Sequence, residues 1–302
     1  MLKNVVRDSI GDGPEESQYI RLIRDILEEG EMVEGRNGAA KTVFGASMYF
    51  SLEGNVVPVL TTKRVAWKTC IRELFWFIRG ATSNTQLKEN NVRIWNANGS
   101  REFLDSRGLS HLKEDDLGPV YGHQWRFFNA DYKDCDTDYT GKGVDQLQYI
   151  IDQLKDPSRR NSRRLLLSAW NPCQLDEMAL PPCHVLMQFN VIGRKLSCSL
   201  YQRSGDVGLG VPFNIASYGF LTHIIAHHCG LDAHEFVYHL GNAHIYDDHL
   251  SALAEQCKLE PYEFPTVTIA DREYAGIEDY GEKDITLNGY ESHGPIKMEM
   301  RK

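Results

Sequence analysis

The stretch from Leu196 to Gly230 decides the fold. It opens Leu196-Ser-Cys-Ser-Leu-Tyr201, turns through Gly205-Asp-Val-Gly-Leu-Gly210, and runs on as Pro212-Phe-Asn-Ile-Ala-Ser-Tyr218 to Cys229-Gly230. Leu196, Cys198 and Leu200 alternate with Ser197, Ser199 and Tyr201, the period of a half-buried strand. Pro212 sits where a helix tolerates proline. From Phe213 to Cys229 the chain is apolar nearly all round, which predicts a buried central helix ending at Gly230. A strand feeding a fully buried helix needs other elements to cover both.

Those elements lie on either side. Apolar runs Leu165 to Trp170 and His184 to Val191 precede the strand. Helical spacing is read over Ser17 to Glu29 (stopped by Gly30), over Trp67 to Ile78 (capped by Gly80), over the short polar segment Asn84 to Asn91, and over Val144 to Lys155. Thr42 to Leu52 alternates as a strand, and short strands are expected in the tail. Arg36 to Lys41 reads as a small-residue loop, Asn96 to Leu117 as a long surface excursion, and Asn129 to Gly143 as a second polar stretch. No repeat or linker divides the chain, so one α+β domain is expected over residues 16–302, behind a loose leader at 1–15.

Composition narrows the function. The 302 residues carry a net charge of −9, with 42% hydrophobic and 25% charged residues. That balance is globular, not disordered. A net negative field disfavours a nucleic-acid partner, so a bound anion needs a local basic cluster. Seven cysteines without CxxC spacing predict reduced thiols in a cytoplasm-like compartment. Neither a signal peptide nor an apolar run long enough for a membrane span is read.

Five sites invite chemical readings. Pro181-Pro-Cys-His184 fixes a cysteine at a strand start, where neighbouring arginines could raise its thiolate fraction. Adjacent strand residues face opposite ways, so His184 is a poor base for Cys183 and a Cys–His hydrolase is disfavoured. Arg159-Arg-Asn-Ser-Arg-Arg164 is either a solvated charge run or, with Arg203 and Ser204, a set of donors for phosphate oxygens. The glycines of 205–210 are in the wrong order for a dinucleotide loop and read as a tight turn. His223 and His227 have zincin spacing but Ile224 stands where its glutamate would be, and no metal is expected. Glu73, inside an apolar helix, is expected to have a raised pKa suited to proton transfer.

Together these residues resemble the thymidylate synthases. The likeness runs from about Gln18 to Met300 through Leu60-Thr-Thr-Lys-Arg64, Glu73-Leu-Phe-Trp-Phe77, Gly118-Pro-Val-Tyr-Gly122, Arg163-Arg164, Ala179-Leu-Pro-Pro-Cys-His184, Gln202-Arg-Ser-Gly-Asp206, Pro212-Phe-Asn-Ile-Ala-Ser-Tyr218 and His244-Ile-Tyr246. Ala97-Asn-Gly-Ser-Arg-Glu-Phe-Leu-Asp-Ser-Arg-Gly108 resembles the longer, eukaryote-type form. The resemblance implies a large mixed sheet packed on helices around the central helix, with a sheet face forming a homodimer interface. It implies that Cys183 adds to C6 of dUMP, and that 5,10-methylenetetrahydrofolate supplies carbon and hydride to give dTMP and dihydrofolate, without a metal. Arg36, Arg203 and Ser204 would bind the phosphate, joined by Arg163 and Arg164 from the other subunit. Asn214 would read the uracil edge, and His244 and Tyr246 the ribose. Glu73 and Tyr121 would handle protons through water. Ile94, Trp95, Asn98, Asp206, Gly210 and Phe213 would meet the folate, with Asp206 on its pterin; Asp206 and Asn214 also count among the catalytic residues.

The chain departs from the pattern at Asn37-Gly-Ala-Ala-Lys41, at Asn96, at Asn242, and at Arg301-Lys302, where Ala-Val is typical of a tail that closes over the ligands. Two other readings stand beside dUMP methylation. In a pyrimidine hydroxymethylase, water would trap the methylene; Asn214 argues against a cytosine substrate and Trp95 for the hydride step. An inactive binding homologue is disfavoured by the presence of Cys183, Glu73, Tyr121 and the arginines.

Overall fold

The structure is a computed structural model and describes residues 13–301. Most of the leader expected at 1–15 lies outside them. Its described end is tied down: Ser51 N–H donates to Glu15. Glu16 is fully buried and accepts from the backbone N–H and the hydroxyl of both Thr61 and Thr62, at 2.6–2.8 Å. A buried carboxylate persists only when hydrogen-bonded in this way.

One six-stranded sheet organises the chain, in the order β1 (Glu31–Gly35), β2 (Gly38–Ser51), β6 (Asp232–Tyr246), β5 (Lys195–Asp206), β4 (His184–Ile192), β3 (Leu166–Ser168). Only β5 and β6 pair in parallel, so the sheet is mixed. Parallel neighbours need a crossover, and α7 (Gly210–His228) supplies it. Between Val211 and Ala226, α7 is buried at every position but Phe213, the central helix expected from its all-round apolarity. The sheet covers one side of α7 and α2 (Trp67–Ile78) packs on another, with Trp67 and Phe220 rings 6.1 Å apart. Helix α1 (Ser17–Glu29) lies on β2, and β7 (Thr266–Ile269) pairs with β8 (Ile285–Asn288) in a small second sheet.

The large sheet bends, and the bend makes room for a cavity. Along β6, Phe236, Tyr238 and Leu240 are buried, and then Ala243 and Ile245 are. The buried face changes parity at Gly241, beside Gly45 of β2, where Phe44↔Asn242 gives way to Ala46↔Leu240. Gly45 has φ +86°, a conformation that favours glycine, and a Cβ on Gly241 would lie 2.8 Å from Arg203 O. Beyond the bend, Asn242, His244 and Tyr246 leave the core face and become available to a ligand.

The structure corrects three local expectations. Arg36 to Lys41 is not a loop: β1 and β2 form a hairpin around Arg36-Asn37. The surface excursion 96–117 holds α4 (Arg101–Ser106), and Leu104, Leu109, Leu112 and Leu117 are buried. The polar stretch 129–143 contributes Tyr132 and Tyr139, which stack 5.6 Å apart and enclose His123 of α5 (Tyr121–Phe127). Gly30 ends α1 as its sequence position implies, in an extended conformation; a Cβ there would lie 2.5 Å from Ile26 O. The other helices are α3 (Asn84–Glu89), α6 (Gln146–Lys155) and α8 (Leu250–Gln256).

Candidate active site

A cavity of about 580 Å³ opens beyond the bend. Its floor is built by strand register. Thr42 of β2, His244 of β6 and Asp206 of β5 lie in one cross-strand row; Asn242 and Ser204 form the next, and Ala40 and Tyr246 a third. All seven residues line the cavity. The walls come from the hairpin (Arg36, Asn37), from Ala97, Asn98 and Arg107, from Leu180, Pro181 and Cys183, and from Met300 and Arg301 of the tail. A second hollow of about 700 Å³, between Arg64–Lys68 and Tyr290–Ser292, is lined by no cysteine.

Cys183 stands just before β4, delivered by two prolines that donate no N–H. Their free carbonyls hold an arginine instead: Arg203 donates from Nε to Pro182 O (2.8 Å) and from Nη2 to Pro181 O (2.9 Å). Thus fixed, Arg203 Nη2 lies 4.0 Å from Cys183 Sγ. Burial pushes the Cys183 thiol up; Arg203 and then Arg36 pull it back, as does a hydrogen bond with Tyr121. Burial outweighs both arginines, so the lowered pKa expected from their proximity is not reached. His184 points away, as strand alternation requires. It is buried, hydrogen-bonded to Asn214 (2.7 Å) and Tyr218 (3.2 Å), and burial lowers its pKa to about 3. A neutral imidazole engaged in this way is no base for the cysteine.

Behind the cysteine lies a buried group of Tyr121, Glu73 and Trp95. Tyr121 Oη accepts from Cys183 N–H at 2.7 Å. Burial raises the Glu73 pKa to about 7, against the opposing pull of Trp95, whose Nε1–H donates to Glu73 Oε1 at 2.6 Å. The Phe77 ring packs against the Tyr121 ring, tilted by 35° with centroids 4.7 Å apart. Asp206 has one oxygen engaged: Oδ1 accepts from Gly208 N–H (2.8 Å) and Leu209 N–H (3.3 Å). Residues 207–209, between β5 and α7, are therefore a tight turn, as the glycine order implied, and Asp206 organises it.

Of the residues named from sequence, Cys183, Arg36, Arg203, Ser204, Asp206, Asn98, His244 and Tyr246 share the cavity wall. Glu73, Tyr121, Trp95 and Asn214 form the buried layer behind Cys183. Ile94, Gly210 and Phe213 are half-buried and not among the lining residues. Arg163 and Arg164 are exposed and also outside it. His223 and His227 turn to separate partners, Val56 O and Tyr280 Oη. The cavity also gains residues that motifs did not single out. Arg107 and Asn37 lie in segments read as loops. Arg301, noted only as a departure, reaches Asp247 (2.6 Å) and Asp248 (2.9 Å) and sits over the Tyr246 ring at 5.6 Å. Among the described residues no helix is long and apolar enough to cross a membrane.

A sequence model of the thymidylate synthase family matches residues 17–302. A thymidylate synthase of Ascaris suum is 52% identical over 288 residues, covering 95% of this chain and 97% of the relative. The human thymidylate synthase is 51% identical over 286 residues, covering 94% and 90%. A bifunctional dihydrofolate reductase-thymidylate synthase of Leishmania major is 52% identical over 290 residues, 95% of this chain but 55% of the relative.

Proposed function

The chain belongs to the thymidylate synthase family; it is a methyltransferase that converts dUMP to dTMP, and we propose that it does so in the cavity beyond the bend, with 5,10-methylenetetrahydrofolate as co-substrate. The observation that carries the site assignment is Cys183 Sγ on the cavity wall, 4.0 Å from Arg203 and opposite a floor of Ser204, Asp206, His244 and Tyr246.

In this reading the Cys183 thiolate bonds to C6 of dUMP, and the electron pair moves onto C5 and O4. C5 bonds to the folate's one-carbon unit and loses its proton. The carbon–nitrogen bond to the folate breaks, a hydride from the folate completes the methyl group, and the Cys183–C6 bond breaks to restore the thiolate. The co-substrate supplies both carbon and hydride and leaves as dihydrofolate. Glu73, poised near neutrality, relays protons to and from the pyrimidine through water with Tyr121. Asn214 has Nδ2 near His184, which leaves Oδ1 to face a uracil N3–H. Arg36, Arg203 and Ser204 hold the phosphate, His244 and Tyr246 the ribose hydroxyl. Asn98 and the free oxygen of Asp206 face the folate, with Trp95, Ile94, Gly210 and Phe213 around it.

The working unit is a homodimer. Leu166 of β3 and Tyr201 of β5, on one face of the large sheet, are exposed by about 40%, as a self-complementary interface would require. Arg163 and Arg164, just before β3 at the edge of that face, extend into the partner's cavity to meet the phosphate. All seven cysteines are free, which suits a reducing compartment such as the cytoplasm. Intact-protein mass spectrometry tests the nucleophile. Incubation with dUMP and the folate followed by acid quench should trap an adduct on Cys183; an adduct on another cysteine would overturn the assignment.

A further inference from the structure

We propose that Arg107 is a further anion-binding residue of this site, taking an oxyanion of a bound reactant: the dUMP phosphate or a folate carboxylate. Arg107 is the C-cap of α4, where its backbone N–H bonds Phe103 O and Leu104 O and so fixes where the side chain leaves the helix. It lines the cavity with Arg36, Asn98 and Arg203. Its Nε is buried and has no hydrogen-bond partner. No carboxylate of the described residues pairs with it, and Asp105 on the same helix is taken by Arg101 at 2.9 Å. Arg101 and Arg160 also carry an unpartnered Nε, but neither lines the cavity.

The electrostatics of the cavity point the same way. Four guanidinium groups line it, those of Arg36, Arg107, Arg203 and Arg301, against one carboxylate, Asp206. Asp206 already accepts two backbone N–H groups. Arg203 donates to two proline carbonyls, and Arg301 is held by Asp247 and Asp248. Arg36 and Arg107 are the two whose forks remain open among the described residues. An Nε–H beside an Nη–H is the pair of parallel donors that grips phosphate or carboxylate in a bidentate way. Arg107 lines the cavity while its buried Nε has no acceptor, so its guanidinium is an unpaired donor group at a cationic wall.

The inference rests on the cavity being the site of dUMP methylation. The Cys183 adduct checks that premise separately, so a silent variant of an enzyme that forms it overturns only the role of Arg107. The test compares Arg107→Leu and Arg107→Lys with wild type. Calorimetric titration gives the Kd for dUMP without folate, and steady-state rates at saturating dUMP give the folate KM. Arg107→Leu should raise one of the two constants about 10-fold, with a smaller effect on kcat. Arg107→Lys should recover only part, because it keeps the charge and loses the fork. A rise in dUMP Kd assigns the phosphate; a rise in folate KM assigns the carboxylate. Unfolding by urea identifies a variant whose helix α4 is lost, in which case Arg107→Gln takes its place. Both constants within twofold of wild type in a folded variant would overturn the proposal.

Discussion

The setting of Cys183 was legible because it is written locally. Two prolines before it and an arginine in the next strand are sequence facts, and the structure joins them: the proline carbonyls orient Arg203, and Arg203 faces the sulfur. Replacing Cys183 with Ser should abolish turnover and leave dUMP binding measurable by calorimetry; full activity in that variant would exclude covalent attack by this residue. Glu73 was legible too, as an acid in an apolar helix. Burial holds its pKa near 7 against an ordinary 4.5. A raised carboxyl pKa means that the unfolded chain gives up this proton first, so its contribution to stability falls as pH rises from about 4.5 to about 7. A limb near pH 7 in the pH–rate profile is expected to disappear in Glu73→Gln, with kcat down by at least about 100-fold. An unchanged limb would place that ionisation elsewhere. Glu16 was not legible. It lies on the border of a polar leader, and only the folded chain brings Thr61 and Thr62 to it. Glu16→Ala should therefore cost about 3 kcal/mol in urea unfolding, since it strands buried donors.

Elements were legible where one physical cause dominates. Helix α7 is apolar all round because it is buried all round, and no other environment suits such a sequence. Helix α4 was missed because Gly99, Ser100 and Asp105 look like turn chemistry; Ser100 is in fact the N-cap, its Oγ accepting from Phe103 N–H. The leucines that follow it are buried by tertiary contact rather than by a regular period. The hairpin at Arg36-Asn37 was missed for the opposite reason. β1 is exposed along its length, so no alternation marks it as a strand. The sheet bend depends on backbone approach, which side-chain patterns do not record. Gly241→Ala should destabilise the protein by about 2 kcal/mol, as its Cβ would press on Arg203 O at 2.8 Å. It should also raise the Kd for dUMP, because Arg203 would move; chemical denaturation and a binding titration read the two effects. Wild-type affinity in the variant would show that the bend does not set the position of Arg203.

At the scale of the whole molecule, one cavity per protomer is incomplete if Arg163 and Arg164 belong to the neighbour. Mixing decides this. Cys183→Ser and the double variant Arg163→Ala/Arg164→Ala should each be nearly inactive alone. Subunits exchanged between them should regain activity, because one cavity of the mixed dimer then has both the thiol and the two arginines. No recovery after exchange would argue that each protomer serves its own site. The most direct test of the central claim follows the products. Protein mixed with dUMP and 5,10-methylenetetrahydrofolate should yield dTMP and dihydrofolate in equal amounts, read by absorbance and chromatography. Release of tetrahydrofolate with hydroxymethyl-dUMP, or dUMP binding with no turnover, would contradict it.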